Sequence, residues 1–311
     1  MLGKVLGRAA DSDRLKRAIE TAPVSRTVVR RFVAGEHEDD AIAASHELAG
    51  AGLSITLDHL GEDTTDLEQA AQTADTYVAL LHRLAAEGLS EVGEVAVKLS
   101  AVGQSLSIVG DGHKIALEHA HRICAAAKAA GTTVTFDMED HTTTDSTLEI
   151  ISEVRREFPW AGVAVQSYLR RTEGDCRELA GAGSRVRLVK GAYNEPESVA
   201  YQTKRDIDRA YVRCLKLLMH GDGYPMVATH DPRLVEISTS LAVQFHRDPG
   251  TYEFQMLYGV RPEEHRRLAQ RGERMRIYVP YGVQWYGYLM RRMAERPSNT
   301  AVFLRALTTK R

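Results

Sequence analysis

The chain has 311 residues, 43% of them hydrophobic and 26% charged, enough for one large domain or two small ones. A formal net charge of −2 gives it no general attraction for nucleic acid or an anionic membrane surface. The cysteines, Cys124, Cys176 and Cys214, are scattered without CxxC spacing, which suits a reducing compartment and argues against a disulfide framework or a zinc site.

The first twenty or so residues lack the apolar core and cleavage site of a signal peptide. They are amphipathic, with Leu2, Val5, Leu6, Leu15 and Ile19 set against Lys4, Arg8, Arg14, Lys16 and Arg17. This pattern fits a helix packed on the body of the protein, with a membrane-surface helix as the alternative. Helical spacing continues from about Ser12 to Ala51, so residues 1–51 read as an N-terminal helical region and residues 52–311 as a second unit. No apolar run reaches the roughly 18 residues of a membrane span.

From residue 53 the periodicity alternates. Short β-branched or apolar runs fall at 53–58, 94–99, 132–137, 162–166, 185–190, 225–229, 252–255 and 275–280. Helical spacing lies between them, for example over Asp66–Ala86, His113–Ala130, Thr144–Phe158, Pro232–Ala242 and Glu263–Arg271. Asp231 followed by Pro232 is a helix start, with Asp at the N-cap and Pro at the first turn. Consecutive strand–helix pairs of this number and length predict an α/β fold, a distorted (β/α)8 TIM barrel. An open doubly wound sheet is the structural rival, but no strand is followed by GxGxxG or by a P-loop motif.

Barrel enzymes place their chemistry at the C-terminal ends of the strands. Here those ends carry Asp58, Lys98, Asp137, Gln166, Lys190 with Tyr193, Thr229 with His230, Gln255, and Tyr278. Any one of these could be a satisfied loop group; together they define a polar rim. Lys98 lies in an otherwise apolar strand end and needs an anionic partner, for which Asp137, Glu139 or a substrate carboxylate are the candidates. The histidines show no metal-ligand spacing, and neither GxSxG nor a plausible triad is present, so no metal is expected.

The last strand gives way at Pro280 and Gly282 to a helix-like aromatic stretch, Trp285, Tyr286 and Tyr288, and then to Arg291 and Arg292. Tyr288, Arg292 and Glu295 share one helical face. Adjacent guanidinium groups repel unless an anion satisfies both, and a bidentate carboxylate is the usual solution. A solvated basic face is the simpler alternative. The aromatic crowd favours a lined pocket.

These segments, with VKLS at 97–100, FDMED at 136–140, RLVKGAY at 187–193, ATHD at 228–231, EFQMLYG at 253–259 and the C-terminal YVPYGxxWxxYxxRRxxE pattern, resemble the proline dehydrogenase family in its short, monofunctional bacterial form. The likeness runs from about Leu53 to Asn299, in the family's order. It implies a flavin-binding barrel with the last helix over its mouth. The implied activity is oxidation of L-proline to Δ1-pyrroline-5-carboxylate with FAD as cofactor, a membrane quinone as electron acceptor, and no nucleic-acid partner. The expected location is cytoplasmic, with peripheral contact at the inner face of the membrane.

By the same resemblance Arg291, Arg292 and Lys98 hold the proline carboxylate, Tyr278 and Tyr288 pack on its ring, and Glu62 gates the site by pairing with a clamp arginine. Asp137 and Arg187 are the implied catalytic pair, Arg187 also touching the flavin. Met138, Gln166, Lys190, Gly191, Ala192, Thr229 and His230 are implied cofactor contacts, with Leu188 and Tyr193 as walls. Asn194 stands where bifunctional members have an aromatic, and Arg296 and Pro297 alter the common ENxxN run. Nothing resembles an aldehyde dehydrogenase module. A folate-type flavin reductase, a metal-dependent barrel hydrolase and a non-catalytic carboxylate-binding module are the alternatives.

Overall fold

The structure is a computed structural model that describes residues 29–62, 64–106 and 111–289. Eight parallel strands close into a barrel in chain order: β1 (Ser54–His59), β2 (Gly93–Lys98), β3 (Thr133–Asp137), β4 (Gly162–Gln166), β5 (Arg185–Val189), β6 (Tyr224–Ala228), β7 (Glu253–Leu257) and β8 (Met275–Tyr281). β8 pairs back onto β1, with Asp58 opposite Pro280 and His59 opposite Tyr281, so the sheet has no open edge and the doubly wound alternative is excluded.

Helices cover the outside: α1 (Glu38–Gly50), α2 (Leu67–Ala86), α3 (Gly112–Ala130), α4 (Thr144–Val154), α5 (Thr172–Leu179), α6 (Lys204–His220), α7 (Pro232–Gln244) and α8 (Pro262–Gln270). Among these described helices none is long and apolar enough to cross a membrane. Their starts follow local chemistry. The Asp66 side chain accepts a hydrogen bond from the N–H of Gln69 at 2.9 Å, and that of Asp231 accepts from Arg233 ahead of a Pro at the first turn.

Strand alternation sorts the chain into two different cores. Ile55, Leu57, Val95, Val97, Val134, Phe136, Val163, Val165, Leu188, Val227, Phe254, Ile277 and Val279 belong to the apolar core shared with the helices. The other face fills the barrel with polar groups. Glu94 Oε1 accepts from the hydroxyls of Thr56 at 2.8 Å and Thr135 at 3.2 Å, and from Arg187 Nη2 at 3.2 Å; Glu94 Oε2 accepts from Arg185 Nη2 at 2.7 Å. Glu253 accepts from Arg276 Nε at 2.7 Å. Buried charges are tolerated only when paired in this way. Burial pushes the Glu94 carboxyl pKa up, but Arg276, Arg185 and Arg187 together outweigh it and hold the group far below the usual carboxylate range.

β8 runs on through Pro280, so the strand does not break there; the chain turns at Gly282, whose φ of +121° is open to glycine. The segment ahead of α1 braces this turn. Ala34 N–H donates to the Pro280 carbonyl at 3.0 Å, and Gly282 N–H donates to that of Gly35 at 2.9 Å. Residues 285–289 then begin a helix. Trp285 Nε1 donates to Glu36 Oε1 at 3.0 Å, which anchors that helix start to the same N-terminal segment.

Candidate active site

The C-terminal ends of the strands surround a cavity of about 660 Å3. This is within the range of small-molecule and cofactor sites. It is lined by Asp58, Glu62, Lys98, Asp137, Met138, Gln166, Arg187, Lys190, Gly191, Ala192, Thr229, His230, Gln255, Tyr278 and Tyr288, among others. Apart from Leu188, the site residues implied by the sequence that lie within the described residues are therefore at one place. Arg291 and Arg292 lie outside the described residues.

Arg187 organises the floor. Its Nε donates to Gln255 Oε1 at 2.7 Å, its Nη1 to Asp137 Oδ1 at 2.5 Å and its Nη2 to Glu94, while the guanidinium lies 5.3 Å from the centre of the Tyr278 ring. The Tyr278 hydroxyl donates to the other oxygen of Asp137 at 2.6 Å. Asp137 thus fixes both an arginine and a tyrosine by charge-assisted hydrogen bonds. Burial, with Asp137 next, raises the Tyr278 phenol well above its ordinary pKa, so it stays neutral.

Lys98 finds an unexpected partner. Its Nζ donates to Asp58 Oδ1 at 2.7 Å, and both residues are buried. Asp137 is its register neighbour on β3, but the Asp137 oxygens point to Arg187 and Tyr278. Glu139, the other expected partner, instead accepts from the backbone N–H and hydroxyl of Ser100, at 3.0 and 2.5 Å. Burial alone would pull the Lys98 pKa down; Asp58, Asp137 and Glu62 overcome it and leave the ammonium more firmly protonated than an ordinary lysine.

The rim opposite carries a second charged group. Lys190 Nζ lies 2.6 Å from Asp208 and 3.3 Å from Asp231, Lys204 lies 2.6 Å from Asp208, and Arg233 bonds both carboxylates at 3.1 and 3.0 Å. Lys204 and Asp208 sit one helical turn apart at the start of α6, a spacing visible in sequence but outside any motif. Gln166 donates to the Glu139 carbonyl at 2.7 Å. His230 Nε2 accepts the N–H of Leu257 at 2.9 Å, which places the proton of a neutral ring on Nδ1. Gly191 has φ +119°, and a Cβ there would stand 2.3 Å from the Tyr168 ring.

Two further expectations need correction. Leu188 is no wall of the cavity: alternation with Arg187 turns it outward into the helix-facing core. Of the aromatic crowd only Tyr288 lines the cavity; Trp285 is tied to Glu36 and packs edge-on against Tyr286.

A closed (β/α)8 barrel whose strand ends gather buried, paired charges around one cavity belongs to the class of barrel enzymes acting on a small charged substrate. Comparison with known proteins narrows this. Residues 41–305 match the model of the family described as proline dehydrogenase. The chain is 37% identical to proline dehydrogenase 1 of Bacillus subtilis, covering 92% of each protein. It is 38% identical to the proline dehydrogenase of Deinococcus radiodurans, covering 90% of each. Among solved structures it superposes on proline utilization A of Bdellovibrio bacteriovorus, inactivated by N-propargylglycine, with a TM-score of 0.80 and 26% identity, covering 92% of this chain and 34% of that one. The chain belongs to the proline dehydrogenase family.

Proposed function

We propose that this protein oxidises L-proline to Δ1-pyrroline-5-carboxylate, with FAD as hydride acceptor and a membrane quinone as the final electron acceptor. The observation that carries this reading is one cavity uniting Lys98, Asp137, Arg187, Tyr278 and Tyr288 with Gln166, Lys190, Gly191, Ala192, Thr229 and His230.

The residues present suit a dinucleotide flavin. At the rim, Lys190, Lys204 and Arg233 outnumber Asp208 and Asp231, which favours a diphosphate. The start of α7 at Asp231 and Pro232 adds a helix N-terminus to the same cluster. Gln166, Lys190, Gly191, Ala192, Thr229, His230 and the backbone of Met138 would hold the cofactor, and Arg187 would contact it. When bound, FAD supplies a two-electron acceptor, chemistry the side chains cannot provide.

The protein's own part is binding and orientation. Within the described lining, Lys98, Arg187, Lys190 and Lys204 already have carboxylate partners. A substrate carboxylate therefore calls for further cations, which Arg291 and Arg292 would supply beside Lys98. Tyr278 and Tyr288 would pack on the ring, and Glu62 would close the site by pairing with a clamp arginine. Only the neutral amine has the lone pair that expels hydride from the neighbouring ring carbon. The converging cations help by lowering the bound amine's pKa. Delivery of electrons to quinone would require peripheral contact with the membrane.

Chromatography of the chromophore released on denaturation should identify FAD. Mass spectrometry of the turnover mixture should show proline converted to a product lighter by two hydrogens. Only FMN, no flavin after reconstitution, or flavin-loaded protein inert toward proline would each contradict the reading.

A further inference from the structure

Lys98 has a partner that no strand-end motif points to. Asp58 Oδ1 accepts from Lys98 Nζ at 2.7 Å, both residues line the cavity, and Asp58 is only 1% exposed. The pair bridges neighbouring strands, Asp58 from β1 and Lys98 from the end of β2. A lysine ammonium is a point charge on a flexible four-carbon stem. In a buried setting it needs an anchor both to keep its proton and to keep one orientation. Asp137 directs its two oxygens to Arg187 and Tyr278, and Glu139 directs its own to Ser100, so the direct contact falls to Asp58.

We propose that Asp58 is the positioning residue that aims the Lys98 ammonium into the cavity and keeps it available to a substrate carboxylate. An ammonium has three N–H donors, so one can stay on Asp58 while another meets the ligand. The inference rests on the reading of the cavity as a proline site. Asp58 acts only through Lys98, and it touches no reacting atom.

The charged and titratable groups around the pair are His59 at the end of β1 with Glu62 after it, Asp137 from β3 with Glu139 just after it, and the phenols of Tyr77 on α2 and Tyr281 at the end of β8. Arg187 and Tyr278 are held against Asp137. Burial is the force that would strip Lys98 of its proton, and Asp58 is the carboxylate in direct contact that opposes it. Removing the Asp58 charge while keeping its shape should therefore turn a pH-independent anchor into one that fails in alkali.

The test is calorimetric binding of tetrahydrofuran-2-carboxylate, an analogue without the amine, to the flavin-loaded protein. It runs from about pH 7 to about pH 9.5, where an unperturbed carboxylate stays fully charged. The wild type should bind with nearly constant affinity. Asp58→Asn should bind about tenfold more weakly at neutral pH, and progressively more weakly toward the alkaline end. Lys98→Met should be weak and flat with pH. The double variant should be no weaker than Lys98→Met alone, because Asp58 has nothing left to position. Asp58→Ser, with room for water at the lost carboxylate, replaces Asp58→Asn if that variant does not fold. Losses that add in the double variant, or an Asp58→Asn profile matching wild type at every pH, would overturn the inference. A wild-type protein that binds neither this analogue nor proline would overturn the proposed function and this inference with it.

Discussion

Asp137 is the residue on which two others depend. With one oxygen on Arg187 and the other on Tyr278, it fixes the orientation of both walls of the cavity. Asp137→Ala should lower kcat/KM for proline by about 10- to 100-fold, the scale of a lost hydrogen bond to a charged group. The flavin-to-protein ratio should stay unchanged, which absorbance of the purified variant measures. Arg292→Met, outside the described residues, should cost about 2–5 kcal/mol in kcat/KM. Near-wild-type turnover there would return the paired arginines to a solvated face. The pH response follows from the same residues. Lys98 is held protonated above the ordinary lysine value, so its charge is fully present from acid to neutral pH. Free proline is almost wholly ammonium over that range. Flavin reduction at subsaturating proline should therefore fall as pH drops, while binding of the amine-free analogue holds constant. A flat reduction rate would sink the amine-deprotonation step and leave the fold intact.

At the scale of elements, the loop after β5 shows why some of the site was legible and some was not. Lys190, Gly191 and Ala192 stand in a motif, and the strand end alone draws attention to them. The reason glycine is needed is not local: φ +119° and the Tyr168 ring, which belongs to the loop after β4, together exclude a side chain. Gly191→Ala should destabilise this loop by about 1–3 kcal/mol and loosen the cofactor, read as loss of flavin on gel filtration. Undiminished flavin retention would show that the loop can shift. The same loop is latched by Glu195, which accepts the N–H of His141 at 2.9 Å and pairs with its ring. Those residues are far apart in sequence, and no periodicity links them. The strands were readable because β-branched runs alternate with helical ones at regular spacing, and they fall within one or two residues of expectation. The Lys98 partner is not legible because the long helix α2 separates β1 from β2 in sequence, and Asp58 and Lys98 meet only when those two strands pair side by side.

At the scale of the molecule, an interior of paired charges replaces the branched apolar layers usual in this architecture. Glu94 is its hub, and three arginines, Arg276, Arg185 and Arg187, hold its carboxyl below the usual range against the opposing effect of burial. A depressed folded pKa means the stabilisation is complete above the ordinary value of 4.5 and is lost as pH falls below it. Glu94→Gln should therefore lower stability by about 3–5 kcal/mol at neutral pH, since buried guanidinium groups lose their counter-charge. The variant should also show a shallower loss of stability in acid than wild type, as urea denaturation at neutral pH and below pH 4.5 would reveal. Equal acid sensitivity would place the proton uptake elsewhere.

The cavity and the family support one proposal: that L-proline delivers hydride to a flavin held at the mouth of this barrel. Anaerobic addition of L-proline to the purified, flavin-loaded protein tests it most directly. The flavin absorbance should bleach on addition of L-proline. Flavin that stays oxidised under saturating proline, in protein that holds FAD, would contradict the account.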